Sequence, residues 1–106
     1  MTDPRSRDYI IEKLTVALDC LAASDAPLKA RLLDAYVSSF MRLMASDFVE
    51  ADELEKFQFV TEFFRRIPDE HRGSAAASVD AAGVAECKQV AEKIVWLMFN
   101  VANNTK

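Results

Sequence analysis

The sequence predicts an all-α fold: an antiparallel four-helix bundle-like domain with one longer loop between its third and fourth helices. Three observations point there. Only two glycines, Gly73 and Gly83, and three prolines, Pro4, Pro27 and Pro68, punctuate 106 residues. An all-β domain needs a turn about every 8–12 residues, and the residues that make such turns are missing. Apolar side chains instead recur at spacings of three and four, the period of a helix with one buried face. Two short connections and one long one separate four such segments, which favours antiparallel neighbours. The chain has the length of one domain, residues 1–106, and can bury about two-thirds of its unfolded surface without disulfides or metal.

The first helix is expected over residues 7–23, where Ile10, Leu14, Leu18 and Leu21 make the buried row. The segment "SDAP" then stops and restarts the chain. Ser24 or Asp25 can cap the next helix, with Pro27 in its first turn, where a missing N–H costs nothing. The second helix, residues 26–45, carries Leu32, Tyr36, Phe40 and Leu43 on one stripe. Asp47 and Glu50 have the spacing of a capping box for the third helix, and Asp52 and Glu53 add negative charge near its positive end. That helix runs over 48–66 with Leu54, Phe57, Val60, Phe64 and Ile67 as its stripe, and Pro68 stops it. Residues 67–80 read as a loop: a charged half, then Ser and Ala with no periodic apolar face. Ser78 or Asp80 can cap the fourth helix, over 81–103, whose row is Val84, Cys87, Ala91, Ile94, Met98 and Val101.

Charge and targeting narrow the partners. A net charge of −4 argues against a nucleic-acid binder, which would carry a basic stripe for phosphates. The longest unbroken apolar run, Ile94 to Phe99, is far short of a membrane span, so no membrane partner is expected. The first ten residues show no secretory h-region. Cys20 and Cys87 stand alone, with no CxxC and no partner histidine, and read as small buried hydrophobes in a reducing, cytoplasmic setting.

Catalytic constellations do not assemble. The single histidine, His71, has no glutamate three residues before it, as a helical di-iron site requires. Glu50, Glu53, Glu62, Glu86 and Glu92 lie at spacings that give no compact inward carboxylate set for magnesium. No catalytic residue, metal ligand or cofactor is therefore expected. Arg65, Arg66, His71 and Arg72 gather before "GSAAAS", where hydroxyls and backbone N–H groups precede a helix, and could hold a phosphate or carboxylate.

The apolar arcs are broader than a four-helix bundle needs. The second helix has a further row, Leu33, Val37, Met41 and Met44; the third adds Phe59 and Phe63. Trp96 falls among Glu92, Gln89, Asn100 and Lys93, opposite the buried row of its helix. A tryptophan there could lie over its own helix, be covered by the 68–80 segment folding back, or meet a second chain. Phe, Met and Trp are enriched at interfaces. The expectation is a non-enzymatic interaction protein (adaptor, chaperone-like or regulatory subunit) that self-associates, a homodimer first, or docks a partner helix. Trp96, Phe59, Phe63, Val37 and Met41 would carry the contact. The alternative is a small-molecule or anion-binding helical protein, possibly an enzyme, using Arg65, Arg66, His71 and Arg72.

Overall fold

Ser6 starts the first helix, its Oγ accepting the Asp8 amide at 3.0 Å, the expected chemistry of an N-cap. The computed structural model describes residues 6–103. Among these residues five α-helices form: α1 (Arg7–Ala22), α2 (Leu28–Ser38), α3 (Ala51–Arg65), α4 (Ser74–Ala81) and α5 (Val84–Asn103). Two short 3-10 turns, Phe40–Arg42 and Ala45–Asp47, lie between α2 and α3. Among the described residues there is no strand. The class is all-α as expected, but the described residues form five helices rather than four.

α1 turns Ile10, Leu14, Ala17 and Leu21 inward, so Ala17 takes the place expected for Leu18. Arg31 holds the turn that follows. Its guanidinium donates to the carbonyls of Leu21 at 2.6 Å and Ala26 at 2.8 Å, satisfying an acceptor left open at the helix end. Ser24 accepts from the Ala26 amide, and Pro27 itself occupies the N-cap position of α2, with no side chain capping that helix.

The expected second helix, 26–45, is broken. At Ser39 the backbone leaves helical geometry, with φ −147° and ψ −56°. The buried Ser39 hydroxyl donates to the Lys13 carbonyl of α1 at 2.5 Å. A serine whose side chain finds a backbone acceptor competes with helix continuation. The break lets Phe40, Leu43 and Phe48 all reach the core. Asp47 does not cap the third helix, as its spacing from Glu50 suggested. It is buried, and its carboxylate accepts the Met44 amide at 2.8 Å, closing the second 3-10 turn. Glu50 stands at the N-cap of α3 without a capping bond from its side chain.

The expected loop 67–80 contains α4. Asp69 accepts the amides of His71 and Arg72 at 2.8 and 2.9 Å, making a tight turn. Gly73, at φ +89°, then enters the helix through a backbone region that favours glycine. Alanine is the best helix former, and this helix needs no large apolar row because its small residues sit close to α2 and α3. Ser78 does not cap the last helix. It is buried within α4 and accepts the Ile67 amide at 3.0 Å, joining α4 to the end of α3. Asp80 likewise lies within α4, and α5 begins only at Val84.

The core is strongly aromatic. Phe64 stacks on Tyr36 with ring centroids 4.1 Å apart and meets Phe63 edge-on at 5.1 Å. Phe57 packs between Phe40 at 5.7 Å and Phe48 at 4.9 Å. α5 lies against α1, α2 and α3 at once. Its broad apolar arc therefore has three neighbours rather than two, which absorbs most of the run Ile94 to Phe99. Ile94 and Leu97 are fully buried, and Met98 accepts from the Thr15 hydroxyl of α1 at a sulfur distance of 3.9 Å. Val95 and Phe99 remain exposed. No helix among the described residues is long and apolar enough to cross a membrane.

One buried charge ties three helix ends together. Glu53, in the first turn of α3, is fully buried. Arg7 at the start of α1 meets it with two bonds of 3.2 Å, and Asn100 near the end of α5 donates to it at 2.8 Å. The negative charge suits the helix N-terminus, but its main partners are the guanidinium and the amide.

Candidate docking groove

The five residues expected to form one interface separate into different places. Phe63 is only 4% exposed, so it belongs to the core and drops out of the surface set. Trp96 is half-buried along the seam of α3 and α5, and the Lys56 ammonium of α3 stands 4.7 Å above its ring. Phe59, 40% exposed, has the Lys93 ammonium of α5 at 5.3 Å. Arg66 lies 4.9 Å from the Phe63 ring. Cations attract the negative faces of such rings by about 0.5–1 kcal/mol at exposed sites. The cover over Trp96 thus includes a lysine from the neighbouring helix, which the wheel of α5 alone could not show.

The four residues expected to bind an anion also divide. Arg66 meets Glu86 of α5 through two bonds of 2.6 and 2.5 Å. That pairing raises the arginine pKa and lowers the Glu86 pKa from its ordinary value, the hydrogen bonds being the main cause in both. Arg72 reaches Asp69 at 3.2 Å and Asp80 at 3.4 Å. Asp69 is held below the usual carboxylate range, first by the Arg72 amide, then by the His71 amide and the Arg72 side chain. The His71 side chain lies in an exposed turn. Arg65 is exposed at the end of α3 and makes no ion pair among the described residues. Arg66 borders a cleft with Phe59, Glu62, Phe63 and Glu86, whereas Arg65 and Arg72 border another.

That second cleft, about 470 Å³, is a groove between α2 and α4. Leu33, Tyr36 and Val37 of α2 and Met41 of the first 3-10 turn line one part. The first residues of α4, Ser74 to Ala76, line the other, and their small side chains leave room between the helices. Val37 and Met41 are 48% and 51% exposed, while Tyr36 is buried beneath. Arg65 and Arg72 stand at the border, and no aspartate or glutamate is among the lining residues. The groove joins two halves of the sequence reading, since Val37 and Met41 belonged to the apolar set and Arg65 and Arg72 to the cationic one.

The lining offers no carboxylate, imidazole or thiol to serve as a general base. Both cysteine thiols have pKa values raised, chiefly by burial, which keeps them protonated and poorly nucleophilic. No group of three His, Cys, Asp or Glu side chains among the described residues is placed to hold a metal ion.

Ala75 and Ala76 were missed as groove residues because alanine carries no periodic apolar signal. Val95 and Phe99 were also passed over in favour of Trp96, although they are the exposed apolar pair on α5. Their wheel positions, away from the Cys87–Ile94–Val101 row, could have shown it. Comparison with protein-family models, curated proteins and solved structures finds no match for this chain.

Proposed function

We propose that this chain is a non-enzymatic helical interaction protein whose docking surface is the groove between α2 and α4. The observation that carries this reading is the pair Val37 and Met41, about half exposed on the wall of a cleft with Tyr36 buried beneath. Exposed apolar side chains around a concave site are what a partner's anchors need. An adaptor or regulatory subunit acting in the cytoplasm would use such a surface.

A random peptide library displayed on phage and selected on the protein, with a Met41→Arg variant as counter-selection, tests it. Selected peptides should shift the NMR signals of Leu33, Val37, Met41 and Ala75, and should lose binding to the variant. Peptides that bind elsewhere, or none at all, would sink this reading.

A second reading rests on Phe99, which is 69% exposed on α5 beside exposed Val95. Paired across a two-fold axis, these residues would make a homodimer contact. Light scattering should then report twice the monomer mass, and Phe99→Lys should return the monomer without unfolding it. A monomer at every concentration removes this contact.

A further inference from the structure

The docking reading leaves open what kind of segment enters the groove, and the charge of its border addresses this. The chain holds 17 acidic and 13 basic side chains, yet the groove has two arginines on its border and no carboxylate in its lining. The consecutive arginines at the end of α3 have different surroundings. Arg66 is matched by Glu86, while the exposed Arg65 guanidinium has no ion pair among the described residues. Arg72 already shares two carboxylates, so Arg65 has the larger unmet charge. The first turn of α4 adds to this, because it faces the groove and no side chain caps it.

The walls also restrict the occupant's backbone. Beyond the uncapped first turn of α4, α2 and α4 use their main-chain groups internally, so the groove presents no strand edge for an extended peptide to extend. A segment entering here must satisfy its own backbone, as a helix does. Val37 near the end of α2 and Met41 in the 3-10 turn that follows, both about half exposed on the groove wall, would meet its apolar row. A small amphiphile would stay largely uncovered in a groove whose walls are themselves half exposed, whereas small-molecule sites enclose most of their ligand.

We infer that the groove takes an amphipathic helix of a partner protein that bears carboxylates beside its apolar row, with Arg65 pairing one of them. This rests on the docking reading above.

The test selects the same phage library in parallel on the wild-type protein and on Arg65→Glu. Peptides from the wild type should carry Asp or Glu beside Leu, Phe or Met at helical spacing. The variant should select Lys or Arg in those places. A synthetic acidic peptide should bind wild type about tenfold tighter than Arg65→Glu or than its own Glu→Gln version, and should weaken with salt. Groove-bound peptides without acidic bias, unchanged on Arg65→Glu, would overturn acid recognition and leave docking standing. An empty wild-type selection would overturn both, and saturable binding of decanoate in that case would assign the groove to a small amphiphile. Arg65 is exposed at a helix end, so the variant should fold, and Arg65→Gln serves as the milder check.

Discussion

Arg7→Met is expected to lower the unfolding free energy by about 3–5 kcal/mol, a large share of the ~5–15 kcal/mol typical of a folded domain. The reason lies in what remains. Glu53 is fully buried, and its two carboxylate oxygens face the Arg7 guanidinium. Without the arginine, the Asn100 amide and the first turn of α3 would have to hold a desolvated charge largely by themselves. The side chain of Arg7 is 27% exposed, so the converse change, Glu53→Met, leaves a cation that can reach water and should cost less. The double variant Arg7→Met, Glu53→Met should recover much of the loss, because a buried pair replaced by apolar groups of similar size is often neutral. Urea denaturation of the single and double variants measures this cycle. A loss below about 1 kcal/mol for Arg7→Met would place the pair with ordinary surface bridges instead.

Phe64→Ala is the second large effect, about 3–5 kcal/mol for an aromatic ring removed from a filled core. Phe64 is fully buried and stacks on Tyr36, whose residue also borders the groove. The consequence should therefore reach beyond stability. With the ring gone, Tyr36 loses the surface that holds it in place, and a peptide selected on the wild-type groove should bind more weakly. Val90→Ala supplies the comparison. Val90 is equally buried but lies on α5 and does not line the groove. It should cost stability while leaving peptide affinity unchanged, at a temperature where both variants are folded. Phe64→Leu keeps most of the volume and should fall between them. A change in stability within about 0.5 kcal/mol for Phe64→Ala, the range of surface substitutions, would mean that the aromatic stack contributes little.

These two sites differ in how far they could be read in advance. Phe64 lies on a row of large apolar residues spaced by three and four, and such a row marks the inner face of a helix without reference to anything else. Glu53 was legible only as a first-turn charge. Its burial depends on Arg7 and Asn100, which come from α1 and α5. The same division runs through the candidate site. Val37 and Met41 stood out as surplus apolar residues, and Arg65 and Arg72 as a cationic group. Nothing in their spacing placed the two pairs on one groove.

Hydrophobic period, proline and glycine scarcity and helix-end chemistry were enough to establish an all-α chain and the bodies of α1, α3 and α5. They missed the break at Ser39, because its cause is a carbonyl on α1 that the serine meets only after folding. They missed α4, because alanine and serine form a helix without the large side chains that make a period visible. They placed Trp96 on an outer face and could not supply the lysine of α3 that covers it. A period is a property of one helix and can be read along the chain. Whether a given face is covered, charged or open depends on which other helix lies against it, and only the packed fold decides that.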